Sequence, residues 1–176
     1  MRPSIHKALL PMGIAISGAP LAAQSLEIPE SMRIEHGEIH DALTQATKAR
    51  GRVGEAARAL AAVLHPHFVR EEQIALPPLA LLAPLARGEV TPDMRAVLPL
   101  TDSLRAELPR MLEEHRAIRE ATLRLRSAAQ AAHDSAVVEL AEKLKVHAQS
   151  EEELFYPAAV LVGDLVRARL GEPAAR

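Results

Sequence analysis

Apolar residues recur at helical spacing along most of the chain. In one segment the apolar stripe runs from Leu60 through Leu64 to Ile74, and a later segment repeats it. Intervals of three and four residues place side chains on one face of a helix, and the strict alternation of a half-buried strand does not occur. The pattern predicts an all-α fold of four helices with short links, an antiparallel up-down-up-down four-helix bundle.

Turn and breaker residues give the predicted limits of these helices. The first helix is expected to start at Ser31 as its N-cap and to stop at Gly51. Pro66 should kink the second helix, and Pro99 and Pro109 should bend or interrupt the third. The predicted helices cover about residues 31–50, 54–76, 93–129 and 135–156, with a link at 83–92 and a short tail helix after Pro157.

The chain also contains an internal repeat with a spacing of about 80 positions. His67 and Glu71 correspond to His147 and Glu151, and the repeat continues on both sides of them. The other matched pairs are Leu60 with Leu140, Leu64 with Leu144, Glu72 with Glu152, Pro77 with Pro157, and, offset by 79, Glu35-His36 with Glu114-His115. The two halves are therefore predicted to be helix pairs of the same design.

Polar side chains interrupt these apolar stripes in a way that predicts a metal site. His67 and Glu71 lie four residues apart, so both share the apolar face of their helix. A buried, unpaired carboxylate costs several kcal/mol, and a metal ion offsets this cost because it binds carboxylate and neutral imidazole. The predicted ligands come from all four helices and are His36, His40, His67, Glu71, His115, His147 and Glu151.

The donor chemistry indicates which metal the site holds. Nitrogen and oxygen donors without sulfur suit iron or manganese, whereas zinc usually takes fewer ligands. Two carboxylates can bridge two ions, so we predict two iron ions, with manganese or zinc less favoured. Seven side chains do not saturate two ions, and an open position for dioxygen, nitric oxide, peroxide or water is expected. His6, His65 and His133 do not follow the pattern.

Several other classes of protein are excluded or disfavoured. The chain has no cysteine, so a disulfide framework and thiolate metal sites are impossible. A net charge of −2 without a basic stripe argues against a nucleic-acid partner. The Glu-x-x-His motif is absent, because no acidic residue lies three positions before a candidate histidine. The zinc-protease motif His-Glu-x-x-His is also absent, because Gly37 follows His36 where that motif needs Glu. No catalytic residue is assigned.

The first residues have the layout of a secretory signal peptide. Arg2 and Lys7 precede an uncharged apolar stretch, and small residues end at Ala23. We predict a signal peptide at residues 1–23 and the bundle at residues 24–176. If the signal is cleaved, the protein is periplasmic or secreted, and otherwise it is cytoplasmic. The stretch is too short and too broken for a good membrane span, and none is expected in the mature chain.

Four segments resemble the hemerythrin-like family, specifically its HHE cation-binding domains. They read IEHGEIHDAL, HFVREEQIALPPL, EEHRAIREATL and HAQSEEELFYPA, and the resemblance covers about residues 29–162. It implies a four-helix bundle with a carboxylate-bridged di-iron centre. Its implied terminal ligands are His36, His67, His115 and His147, and its implied bridging ligands are Glu71 and Glu151.

The chain departs from the oxygen-carrying hemerythrins at two points. Those carriers place paired histidines on the third helix, where this chain has Arg119, and its own pair is His36 with His40. Their last helix resembles His-x-x-x-x-Asp, whereas Glu151 follows His147 at four residues here. The chain thus resembles the broader HHE set, which includes iron and redox sensors and iron-repair proteins.

These observations predict a non-haem di-iron binding protein of hemerythrin type. It would bind or sense dioxygen, nitric oxide or iron at an open coordination position. The alternatives are a di-iron redox enzyme for peroxide or nitric oxide reduction or iron repair, and a metal-free structural bundle. Tyr156 could carry a redox role, although packing is its favoured interpretation.

Overall fold

The computed structural model describes residues 26–173, all of whose regular structure is helical. The predicted signal peptide at residues 1–23 lies outside the described residues, as does His6. The α-helices are α1 (Glu30–Thr47), α2 (Gly51–Ile74), α3 (Leu82–Ala86), α4 (Leu98–Ala131), α5 (Ser135–Ser150) and α6 (Tyr156–Leu170). Short 3-10 helices occupy Pro77–Leu81 and Pro92–Val97, and a π-helical turn occupies Glu151–Phe155.

The bundle consists of α1, α2, α4 and α5. Helix α1 contacts α2 and α5, and α4 contacts the same two helices, so the four enclose one core. Ile39, Leu60, Leu125 and Leu144 come from the four helices and are buried in one apolar cluster. Burial of each such side chain contributes about 1.5–3 kcal/mol, which explains why the stripes face inward. The predicted all-α helical bundle is confirmed.

The first two helices differ from their predicted limits by a few residues. Helix α1 begins at Glu30 directly after Pro29, so Ser31 lies in its first turn and is not the N-cap. The Pro29 carbonyl accepts hydrogen bonds from the N–H groups of Met32 and Arg33, which makes Pro29 the N-cap and starts the helix one residue earlier. Gly51 has a φ of +67°, a left-handed conformation that glycine adopts without steric cost, and the chain turns there into α2.

The internal prolines interrupt the helices less than predicted. Pro66 and Pro109 both lie within continuous helices, α2 and α4. The predicted break near Pro99 is a change of helix type, because a 3-10 helix ends at Val97 and α4 begins at Leu98. Proline fits the first turn of a helix, where its missing N–H group is not needed. The predicted link at 83–92 contains most of the short helix α3.

The final helical segment is longer than predicted. Instead of a helix that stops near Tyr156 and a short tail, the chain stays helical from Ser135 to Leu170. Proline cannot donate to the turn before it and its ring clashes with that turn's carbonyl. The wider π turn before Pro157 accommodates both effects, so α6 follows α5 without a non-helical break. No helix in residues 26–173 combines the length and apolar character that a bilayer span requires.

Candidate metal centre

Six polar side chains meet inside the bundle, where the surrounding residues are apolar. Helix α1 contributes one of them, α2 two, α4 one, and the continuous segment of α5 and the π turn two. No more than 3% of any of these residues is exposed. They are His36, His67, Glu71, His115, His147 and Glu151.

These side chains form two overlapping groups, each able to hold a cation. The first subsite has His36 and His147, and the second has His67 and His115. Glu71 and Glu151 belong to both, and within each subsite the donor atoms lie within 4.8 Å of one another.

The two shared carboxylates each direct one oxygen to each subsite. Glu151 Oε1 lies 3.0 Å from His147 Nε2, and Glu151 Oε2 lies 3.4 Å from His115 Nε2. Glu71 Oε1 lies 3.3 Å from His67 Nε2, and Glu71 Oε2 lies 3.9 Å from His36 Nε2. This is the arrangement that two carboxylates need in order to bridge two cations.

A second set of carboxylates contacts the outer nitrogen, Nδ1, of all four imidazoles. The distances are 3.1 Å from His36 to Glu72, 2.9 Å from His67 to Glu114, 2.8 Å from His115 to Glu152 and 3.5 Å from His147 to Glu35. Each contact joins neighbouring helices, and together they form a closed ring around the bundle. An Nδ1 atom turned to a carboxylate leaves Nε2 directed at the centre, the orientation that a metal ligand requires.

The sequence predictions missed this outer ring. Glu35 with Glu114 and Glu72 with Glu152 are matched pairs of the repeat, but no role was predicted for them. Each of the four directly precedes or follows a predicted ligand in the chain. That adjacency, repeated in both halves, was the available signal.

The backbone widens at both shared carboxylates. The Glu151 carbonyl accepts a hydrogen bond from the N–H group of Tyr156, five residues along. The Glu71 carbonyl likewise accepts one from Leu76 at 3.0 Å. Such π-type turns are rare and occur frequently at functional sites. A proline follows each turn in the sequence.

The buried carboxylates favour positively charged partners at the centre of the cluster. Burial lowers the pKa of His67, but the carboxylates of Glu71 and Glu114 outweigh it and raise that pKa to about 9. Burial and the nearby charge of Glu151 raise the pKa of Glu71. Burial also acts to raise the pKa of Glu151, but the surrounding imidazoles lower it well below its usual value. The centre thus demands positive charge, which a cation could supply in place of protons.

Unpaired polar atoms test whether the residues fit a metal. Four inward-facing donor atoms of the cluster, as well as the outer His147 Nδ1, lack any hydrogen-bond partner; the inward-facing ones are His36 Nε2, His147 Nε2, Glu71 Oε2 and Glu151 Oε1. All four belong to the first subsite. Leaving such a group unsatisfied costs about 1–3 kcal/mol, and a cation would satisfy all four together. The donor set therefore fits a metal ion of nitrogen and oxygen preference.

The structure does not bring His40 into this cluster. Its side chain is 57% exposed, with Nδ1 3.6 Å from Asp41 Oδ1. One turn along α1 from His36, it lies near the ring of His65, at 6.1 Å between centroids. A shared helix face therefore did not ensure a shared depth in the bundle. Arg119, in the place of a second histidine on α4, pairs with Glu152.

Tyr156 is a further member of the site. It is 1% exposed, and its hydroxyl donates a hydrogen bond to Glu71 Oε1. The phenolic oxygen of Tyr156 also lies 3.1 Å from His115 Nε2 and 3.5 Å from His67 Nε2. Burial and the charges of Glu71 and Glu151 raise the pKa of the Tyr156 phenol above its usual range. Tyr156 packs in an apolar cluster, as its favoured interpretation predicts, and its hydroxyl in addition contacts the second subsite.

A cavity of about 290 Å³ approaches the first subsite from the side of α1 and α2. Its lining includes His40, Leu64, His65 and Phe68. The Phe68 ring also stacks on the His36 imidazole, with 4.0 Å between centroids. Phe68 thus borders both the cavity and the first subsite.

A helical bundle with imidazoles and carboxylates gathered in its core defines a class of metal-binding proteins. The family model of the hemerythrin HHE cation binding domain matches residues 27–159, and the chain belongs to that family. The resemblance noted in the sequence is confirmed. The chain is accordingly a metal-binding protein, with the buried His/Glu cluster positioned to hold the metal. Neither curated proteins nor solved structures gave a significant match.

Proposed function

We propose that this chain is a non-haem di-iron protein of hemerythrin type that binds or senses dioxygen or nitric oxide. The observation that carries the proposal is the pair of buried carboxylates, each with one oxygen directed to either subsite. A single-metal site would not need two shared carboxylates in this orientation.

The ligand set follows from the two subsites. His36 and His147 would hold one iron and His67 and His115 the other, with Glu71 and Glu151 as bridges. This set omits His40, which lies at the surface. Iron bound here supplies redox chemistry and affinity for diatomic ligands. Each subsite offers four protein groups, fewer than the roughly six of an octahedral ion, so an open position remains.

The protein's own residues would orient the ligands and exclude water. The outer carboxylates turn each imidazole so that Nε2 faces inward. Burial of the whole cluster keeps solvent away from the open position. We further propose that a small uncharged ligand enters through the cavity beside Phe68, whose ring borders the first subsite.

An antiparallel bundle built from two similar helix pairs is part of this proposal. Contacts between α1 and α2 support it, because they run in opposite order along the two helices. Arg58, near the start of α2, donates a hydrogen bond to the Thr47 carbonyl at the end of α1. His36, in the first half of α1, contacts Glu72 near the end of α2. The 80-residue repeat would then place equivalent ligands in the two subsites.

A redox enzyme that reduces peroxide or nitric oxide is the second candidate. The observation that favours it is the buried phenol of Tyr156 beside the donor atoms of the second subsite. A metal-free structural bundle is disfavoured by the four unpaired donor atoms of the first subsite.

Elemental analysis and optical spectroscopy of the purified chain test the proposal. We expect about two irons per chain and absorption bands that change reversibly with dioxygen or nitric oxide. Sustained peroxide consumption by the iron-loaded chain, lost in Glu151→Ala, would favour the enzyme instead. A chain that retains no metal after purification without chelators and takes up none on reconstitution would overturn both candidates.

A further inference from the structure

The two subsites differ at one repeat-related position. Tyr156 touches the second subsite, and the residue 80 positions earlier in the sequence is Leu76. Both residues are buried, at 1% and 0% exposure. The leucine side chain has no atom that can bind a metal. The second subsite therefore has a phenolic oxygen, and the repeat supplies no corresponding atom to the first subsite.

The phenolic oxygen lies on the inward side of the imidazoles, where the other donor atoms lie. Neighbouring ligand atoms around an octahedral ion with bonds of about 2.1 Å lie about 3 Å apart. The phenolic oxygen lies 3.1 Å from His115 Nε2 and 3.5 Å from His67 Nε2. The outer carboxylates, by contrast, contact Nδ1 on the far side of each ring. Tyr156 therefore lies among the inward-facing donor atoms.

We propose that Tyr156 is a fifth protein ligand of the second subsite, through its phenolic oxygen. This inference rests on the proposed iron centre. On binding, Tyr156 would release its phenolic proton to solvent and direct its oxygen to the cation instead of to Glu71. The phenolate would add one negative charge, which favours a trivalent ion. The first subsite, with four protein groups, would keep more open positions and would be the one that takes the small ligand.

The composition of the chain makes this inference directly measurable. Tyr156 is the only tyrosine, and there is no tryptophan, so the near-ultraviolet signal of tyrosine ionisation reports this residue alone. Gallium(III) serves as a redox-silent substitute for iron(III). We expect the metal-free chain, titrated with gallium at neutral pH, to develop a tyrosinate difference spectrum that saturates with metal uptake.

The iron(III)-loaded chain provides the second measurement. We expect a visible phenolate-to-iron charge-transfer band and phenolate ring modes in resonance Raman spectra. The matched variant is Tyr156→Phe, which keeps the ring and removes only the oxygen, and it should lack both signals. Circular dichroism checks its helical content.

The outcomes separate this inference from the proposed function. Uptake of about two metal ions without tyrosinate formation would overturn the ligand role and leave the di-iron proposal standing. No uptake of gallium or iron would overturn both. If Tyr156→Phe does not fold, the gallium titration of the unmodified chain still decides the question.

Discussion

The two metal subsites share two carboxylates and have matching histidines, yet their surroundings differ. In the first subsite, the Nδ1 partners Glu72 and Glu35 have side chains that are 44% and 33% exposed. In the second, the partners Glu114 and Glu152 are 28% and 27% exposed. The outer support of the second subsite is therefore better shielded from solvent.

Arginines strengthen that difference. Arg110 forms an ion pair with Glu114 at 2.8 Å, and Arg119 forms one with Glu152. No arginine or lysine pairs with Glu72 or Glu35 among the contacts of residues 26–173. Charged partners restrict the carboxylates of the second subsite and, through them, its histidines. The comparison teaches that equal ligands do not make equal sites, and we expect the second subsite to hold its metal more firmly.

The largest expected effect comes from removing one histidine of each subsite. His67→Ala with His147→Ala should abolish metal retention, because each subsite loses a terminal ligand. Metal bound only to the native state stabilises it by about 2.7 kcal/mol at a hundredfold excess over Kd, so Tm should fall with the lost metal. Elemental analysis and thermal unfolding measure both. His65→Ala with His133→Ala is the matched control, and unchanged iron in the ligand variant would refute the site.

Neutralising one outer carboxylate in each subsite probes the difference between them. Such partners typically contribute about 10–100-fold to metal affinity. We expect Glu152→Gln to weaken binding more than Glu72→Gln, because Glu152 is less exposed and is held by Arg119. Competition with a chelator measures the affinities. Equal losses in the two variants would show that the subsites are equally supported.

Replacing Phe68 tests access to the first subsite. Phe68→Leu leaves more space between the cavity and His36, so nitric oxide should associate with the iron-loaded chain several-fold faster. The change removes apolar volume from a buried position and should cost about 0.5–3 kcal/mol of stability. Stopped-flow spectroscopy gives the rate. Phe155→Leu is the control, since the chain has only two phenylalanines, and the same acceleration in both would exclude a specific route.

The smallest effect is expected from Arg119→Gln. It removes the guanidinium that holds Glu152, while Glu152 still contacts His115 Nδ1 at 2.8 Å. We expect only a few-fold faster loss of metal from the second subsite, because this pair is partly exposed and such pairs are worth at most about 1 kcal/mol. Arg116→Gln breaks an exposed pair with Glu113 and is the matched control. Faster loss in that control as well would point to a general charge effect.

Much of the site could be predicted because its ligands follow the helical period. His67 with Glu71 and His147 with Glu151 lie four residues apart on apolar faces, and all four are buried together. His40 satisfied the same periodicity relative to His36 but lies at the surface. Periodicity specifies the face of a helix, but it does not specify how far the neighbouring helix covers that face.

Helix limits were predicted less well where proline was involved. Pro157 was expected to end a helix, yet the chain passes it through a π turn and continues to Leu170. The intrinsic cost of proline is local, whereas α6 packs against α4 and against the turns at residues 77–81 and 92–97. Packing of that kind stabilises a helix that local propensity alone would interrupt.

The sequence by itself determined the helical class and the six imidazoles and carboxylates that share buried helix faces, because those depend on spacing along one chain segment; it did not exclude His40. Only the tertiary structure decided that four Nδ1–carboxylate contacts close around the bundle and that Tyr156 reaches Glu71 on another helix. Those contacts depend on distances between helices, which are set by how the side chains of all four pack together.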